Sequence, residues 1–263
     1  MALMDKYALV TGASKGIGRE LAISLAGKGY NLLLVARSEN ELRQLAEKLI
    51  SQYGIKASYL SCDMAVPRAA DQIATWSQPY HSALSILVNN AGYGIWGNFD
   101  QLSLQAQMEM LRLNINVLVE LTYLLLPALK QQKQSYVLNV ASTAAYQAMP
   151  TLTLYAASKS FVLSYSRGLR YELRNSTVSI SALSPGPTAT GFASRAGLDA
   201  LQDLAEKFNM PASEVADIAL RGMFRKKAGI IPGFLNKLSV FGATHLPKSL
   251  IERIAAGLYK TKK

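Results

Sequence analysis

The most constraining feature of this chain is the run Thr11-Gly12-Ala13-Ser14-Lys15-Gly16-Ile17-Gly18, set between a short apolar segment and a stretch of helical period. Its three glycines let a strand end and a helix begin with almost no linker. Gly12 permits the sharp exit, Gly16 lets backbone approach a ligand, and Gly18 allows a helix to sit tightly on a sheet. A helix that opens this way offers N–H groups and positive potential to an anion, so the turn suits the pyrophosphate of a dinucleotide. The rival phosphate loop needs Gly-Lys-Ser or Gly-Lys-Thr at the helix start, whereas Gly16 is followed here by Ile17.

Beyond the turn, β-branched and leucine-rich runs alternate with longer helical stretches, the pattern of βαβ units. The expected strands are Tyr7–Val10, Asn31–Val35, Ala57–Leu60, Ile86–Asn89, Tyr136–Val140 and Val178–Leu183, with a seventh at Gly229–Ile231. The expected helices are Ile17–Lys28, Glu39–Gln52, Ala69–Trp76, Ser103–Lys130 and Thr153–Arg174. Ser38 and Glu41 have the spacing of a capping box, which assigns Glu39 and Glu41 to the first turn of their helix. Half of the 263 residues are hydrophobic, enough for a large core. The fold class is therefore α/β: a doubly wound parallel sheet of Rossmann type with helices on both faces. No repeat or Pro/Gly-rich linker divides the chain, so residues 1–263 read as one domain. The less regular region after Thr190 is divided into a substrate lid at 191–227 and a basic amphipathic extension at 228–263. In that extension Leu250, Ile251, Ile254, Ala255 and Leu258 form one apolar stripe.

The single cysteine, Cys62, cannot form an internal disulfide, and no short apolar leader with a cleavage site follows Met1. A reducing, cytoplasmic setting is expected. Asn114, Asn116 and Glu120 interrupt one apolar run and Lys237 another, so no membrane span is expected. The net charge is +11, and residues 224 to 263 hold nine basic residues against one acid, Glu252. Such a field attracts anionic lipid, an acidic carrier or phosphate, or simply keeps that end solvated. Nucleic acid is not expected, because the tail lacks interleaved aromatics and any recognisable module. His81 and His245 are isolated, and nothing has metal-ligand spacing.

Arg37 follows the second strand where a carboxylate would select a bare ribose diol. With Lys15 as a second cation, a 2′-phosphate is favoured, and the expected cofactor is NADP(H). Tyr155 and Lys159 stand four residues apart on one face of a predicted helix. A second such pair, Tyr259 and Lys263, falls in the charged tail, whereas Tyr155 follows the fifth strand at the carboxyl edge where ligands bind in such sheets. Ser142, just past that strand, reaches the same edge.

On these residues the chain resembles the short-chain dehydrogenases/reductases, down to about Phe192. The glycine turn matches the family's TGxxxGxG segment, and Asn89-Asn90-Ala91-Gly92 its NNAG turn. The resemblance implies a catalytic tetrad of Asn114, Ser142, Tyr155 and Lys159. It further implies cofactor contacts from Ser14, Ile17, Asp63 (to adenine), Met64, Asn90, Ala91 and Gly92. The segment after the sixth strand, Pro185, Gly186, Thr188 and Thr190, would hold the carboxamide. Lys159 would also bind the nicotinamide ribose, and Asn114 would position a water. Ala141 replaces a frequent serine and Val117 a common glycine, and neither removes a reacting group.

A phenol of ordinary pKa ~10 beside an ammonium exchanges its proton more readily near neutrality. Tyr155 is thus the expected proton donor to a ketone oxygen, Ser142 holds that oxygen, and NADPH supplies hydride. The expected activity is reduction of a moderately hydrophobic ketone, 3-ketoacyl or steroid-like, or the reverse. The alternative is a silent NADP(H)-sensing module, which would need neither Tyr155 nor Lys159. Tyr93, Trp96, Tyr146, Met149, Phe192 and Phe224 are candidates to line the substrate site. The family resemblance also implies a homodimer or homotetramer.

Overall fold

Runs such as Asn31-Leu32-Leu33-Leu34-Val35-Ala36 are buried at every position, which only a sheet covered on both faces allows. A computed structural model describes residues 6–190 and 209–258. Strands β1 (Tyr7–Thr11), β2 (Asn31–Ala36), β3 (Ala57–Ser61), β4 (Leu84–Asn89), β5 (Ser135–Val140), β6 (Val178–Leu183) and β9 (Gly229–Ile230) form one parallel sheet, in the order β3-β2-β1-β4-β5-β6-β9. A separate two-residue pair joins β7 (Thr188–Ala189) to β8 (Met210–Pro211). The order reverses direction between β1 and β4, and the crevice at that switch is where such sheets bind ligands.

Alternation along the strands feeds two cores. Ala8, Val10, Leu32 and Leu34 face α1 (Gly16–Ala26) and α2 (Glu39–Tyr53), while Leu9, Leu33 and Val35 face α3 (Ala69–Ser77) and α5 (Val117–Lys130). Helix α6 (Thr153–Glu172) lies on the second face with Val162 and Leu163 against Ala182 of β6.

The expectations needed correction in four places. First, Ser103–Lys130 is not one continuous α-helix. Ser103 caps α4 (Leu104–Leu111), accepting from the Ala106 N–H at 3.4 Å, and a π turn at Arg112–Asn116 separates α4 from α5. Second, an 18-residue window within Leu104–Lys130 is long and apolar enough to cross a bilayer by length and composition, despite Asn114, Asn116 and Glu120. Half of that window is buried, and α5 packs on β4 and β5 as a core helix does. Third, residues 209–258 are more regular than expected. They contain α7 (Ala212–Phe224), α8 (Phe234–His245) and α9 (Lys248–Leu258), of which only the last was foreseen. Of the expected lid, 191–208 lies outside the described residues, while α7 buries Val215, Ala219 and Leu220 in the core beside α1. Fourth, the capping box does not form: Ser38 stands at the N-cap of α2 without a side-chain capping bond, and the Glu41 carboxylate pairs with Lys15.

Candidate active site

The carboxyl edge of β1 and β4 assembles the first part of the site. Gly12 and Gly16 have φ of +65° and +54°, and a Cβ on Gly18 would collide with the Gly12 carbonyl and the Asn90 amide. Asn90 explains this tightness, since its side-chain amide donates to the Thr11 carbonyl at 2.9 Å and the Gly12 carbonyl at 3.2 Å. The Thr11 hydroxyl donates to Val88 at 3.2 Å and accepts from the Asn90 and Ala91 N–H groups at 3.0 and 3.1 Å. The glycine turn and the Asn89–Gly92 turn are therefore one rigid piece. Thr190 joins it, because a Cβ on Gly16 would lie 2.9 Å from the Thr190 methyl group. These close approaches leave a backbone-lined cradle at the N-terminus of α1, which fits the phosphates of a dinucleotide. Ser14 and Ile17 lie in the same turn, half-buried.

The acid and base ends of the cradle differ from the sequence expectation. Arg37 is exposed just past β2. Lys15 is not a lone cation: its ammonium sits 2.8 Å from Glu41 Oε1, and the other carboxylate oxygen of Glu41 is buried without a hydrogen-bond partner among the described residues. A cleft of about 470 Å³ opens beside this pair, lined by Ser14, Lys15, Gly16, Arg19, Glu41 and Lys48 among others. It belongs to the glycine turn and not to Tyr155. Asp63 is exposed beyond β3 and accepts from the Ala65 N–H at 2.9 Å. Met64 buries its side chain in the core beyond β3.

The second part gathers around α6. Tyr155 and Lys159 are both buried, one helical turn apart, with the ammonium 5.9 Å from the phenol ring centroid. Lys159 donates to the Val140 carbonyl at 2.9 Å, and burial lowers its pKa from the ordinary 10.5 to about 8. Asn114, in the π turn, donates to the Tyr93 carbonyl and accepts from the Tyr93 N–H at 3.0 and 3.1 Å. It also donates to Ser158 Oγ at 3.0 Å, and Ser158 donates to the Tyr155 carbonyl at 2.7 Å. A Cβ on Gly92 would lie 2.9 Å from Asn114 Oδ1 and 3.1 Å from Lys159 Nζ, so the two parts of the site meet there. Ser142 follows β5 and accepts from the Ala144 N–H at 3.1 Å, which leaves its hydroxyl proton to donate. Pro185 accepts from the Thr143 N–H at 2.9 Å, and Thr188 donates to the Gly186 carbonyl at 3.0 Å.

Of the expected substrate lining, Met149 is buried in one apolar cluster with Tyr155, and Tyr93 and Trp96 pack against it. Tyr146 instead packs with Val162 and Leu163, its hydroxyl 3.4 Å from that of Ser184. Phe192 lies outside the described residues. Phe224 does not belong to the site, because it stacks on Tyr30 and meets Tyr136 edge-on in the core at the start of β5. Ser158, Glu41 and the Val140 carbonyl were missed, since their roles come from contacts the sequence spacing does not show. Asn236 was missed too: a Cβ on Gly186 would run into its side chain. No group of three metal-ligating side chains occurs among the described residues.

A family model described as short chain dehydrogenase matches residues 6–200. A very-long-chain 3-oxoacyl-CoA reductase of Pyrenophora tritici-repentis is 36% identical over 171 residues, 64% of this chain and 50% of that protein. The chain thus spans about half the length of that relative. A solved short-chain dehydrogenase from Sphingobium yanoikuyae, in complex with NADPH, superposes with a TM-score of 0.81 at 28% identity, covering 93% of this chain and 97% of its own. One from Burkholderia phymatum, in complex with NAD, has the same fold, with a TM-score of 0.83 at 23% identity over 92% of this chain and 94% of its own.

Proposed function

This chain belongs to the short-chain dehydrogenase/reductase family, and on that premise we propose that it is an NADPH-dependent reductase of a moderately hydrophobic ketone, 3-ketoacyl or steroid-like, or the reverse alcohol dehydrogenase. One observation carries the reading. Lys159 is buried on the Val140 carbonyl beside Tyr155, with no carboxylate paired to it among the described residues. An ammonium so placed is costly to bury, and its field favours any anion that forms next to it.

The glycine turn, Asn90 and Thr190 would hold the dinucleotide, with Lys15 and Arg37 toward a 2′-phosphate. When bound, it supplies or accepts the hydride. The chain's own groups manage the proton. Tyr155 donates from its hydroxyl to the oxygen that gains charge as the ketone is reduced, and Lys159 stabilises the phenolate left behind. The Ser142 hydroxyl, whose oxygen is already engaged by Ala144, donates to the same substrate oxygen and orients it. Asn114 ties α6 to the Gly92 turn and so fixes Lys159 against the ribose position. Met149, Tyr93 and Trp96 exclude water beside Tyr155, which strengthens these interactions.

The same reading includes a reducing, cytoplasmic setting, resting on the lone buried thiol of Cys62, and a homodimer or homotetramer. It also includes a contact of the basic segment 228–263 with an anionic surface.

Turnover assays with NADPH and NADH against ketones, 3-ketoacyl thioesters and steroids test the reaction directly. Tyr155→Phe is expected to keep NADPH binding and to lower turnover at least ~100-fold, the scale of general acid catalysis. Undiminished turnover removes Tyr155 from its role, and NADPH binding without turnover of any ketone returns the sensing reading.

A further inference from the structure

The positive charge of the C-terminal forty residues is split by the fold. Arg225, Lys226 and Lys227 precede β9, which runs parallel to β6, so they lie at the amino edge of the sheet, away from the site. Helix α8 begins past the other end of β9, at the carboxyl edge. It packs on the turn Thr143–Tyr146 next to Ser142, and its Asn236 meets Gly186.

The two sides of α8 differ sharply. Val240 and Ala243 are buried, whereas on the opposite side Phe234, Leu235, Leu238 and Phe241 are 78, 63, 57 and 60% exposed. Leu246 and, in α9, Leu250 and Ile254 are exposed as well, whereas Ile251 and Ala255 of α9 are buried. The stripe read from the sequence of α9 is thus divided between the core and the surface. Exposed cations flank this face at Lys237, Lys248 and Arg253, and the sequence adds Lys260, Lys262 and Lys263 beyond them. Large aromatics and leucines exposed together along one helix side mark an interaction site.

We infer that α8 and α9 form an interfacial membrane-docking face, with the Phe234–Phe241 side entering the headgroup boundary of an anionic bilayer and Lys237 and Arg253 at the lipid phosphates. This rests on the surface-contact part of the reading above and not on the reaction. Large apolar side chains flanked by cations are the composition that binds anionic interfaces. A second copy suits the face less well, because an isologous pairing would bring Lys237, Lys248 and Arg253 toward their own duplicates with Glu252 as the one acid among the residues of both helices. Docking would also set the Ser142 and Gly186 edge close to the lipid, where a hydrophobic substrate is dissolved.

The test is flotation of the full chain with vesicles of phosphatidylcholine alone and of phosphatidylcholine mixed with phosphatidylserine, at low and high salt. NADPH binding and thermal unfolding are read in parallel to show that each variant is folded. The expected result is binding to the mixed vesicles that weakens with salt. It should be lost in Phe234→Ser/Leu238→Ser/Phe241→Ser, and reduced roughly fivefold for each cation replaced in Lys237→Gln/Arg253→Gln. Absence of flotation, or equal flotation with both vesicle types, overturns the inference. So does an oligomer that the triple serine variant turns into monomer while vesicle binding stays absent, which would assign the face to a second copy. Loss of NADPH binding by the unaltered chain would instead count against the cofactor assignment and leave the vesicle result standing.

Discussion

A lysine ammonium 2.8 Å from a carboxylate meets any incoming phosphate with its charge already shared, and that is the condition of Lys15 beside Glu41. The pair is partly exposed, so its energy is modest, but under the proposed function its position beside the glycine turn would let it discriminate between the two cofactors. Glu41→Gln leaves the ammonium uncompensated while preserving the side-chain shape. NADPH affinity should then rise by up to roughly fivefold, the scale of an exposed ion pair, with NADH affinity little changed. Lys15→Ala should act in the opposite direction. Titration of both cofactors by fluorescence measures this, and a Lys15→Ala variant with an unaltered NADPH to NADH ratio would place the 2′-phosphate elsewhere. The sequence showed Lys15 and Arg37 but gave Glu41 a helix-capping role, since a capping spacing and an ion pair across two elements look the same in one dimension.

At the scale of elements, the site depends on two departures from regular backbone. One is the glycine turn, fully legible because its residues are consecutive and each glycine has a steric reason. A methyl group at Gly18 would press on the Gly12 carbonyl and Asn90, both fixed by hydrogen bonds, so the turn cannot relax freely. Gly18→Ala is therefore expected to cost about 1 to 3 kcal/mol of stability, the range for overpacking, and to abolish NADPH binding. Denaturant unfolding and cofactor titration check the two effects, and a stable variant that binds normally would show that α1 can shift away from the sheet. The other departure is the π turn at Arg112–Asn116, which interrupts the long helix where Asn114 reaches Tyr93 and Ser158. The sequence around Asn114 keeps helical periodicity on both sides, so nothing local announced the extra residue in the turn. Such bulges are common at functional sites, and this one brings a polar side chain to the sheet edge.

At the scale of the whole molecule, pH links the site to stability. Burial lowers the Lys159 pKa to about 8, below its ordinary 10.5, so between these values the unfolded chain holds a proton that the folded chain has released. Stability therefore rises with pH through that window, and below it the charged amine is a constant cost in the folded state. Tyr30 works in the other direction. Burial pushes its phenol up to about 12 from 10.0, so its contribution is present below pH 10 and is lost as pH climbs toward 12. Thermal melts should rise from about pH 8 and turn over near 10, and Lys159→Met should remove the rise while keeping the fall. A parent protein with no rise would mean that the amine is hydrated in solution.

What the sequence determined by itself was local or repeated every few residues: the strand and helix alternation, the glycine turn, the Tyr155 and Lys159 spacing, and hence the fold class. Short-range sterics and hydrophobic period set these features, and both can be read along a line. Tertiary structure alone decided which charges meet and which apolar faces stay uncovered. It paired Glu41 with Lys15, seated Lys159 on Val140, moved Phe224 into the core with α7, and left the outer side of α8 exposed. Those outcomes depend on distances between segments far apart in the chain, and Coulomb energy and desolvation vary with such distances and not with spacing in sequence.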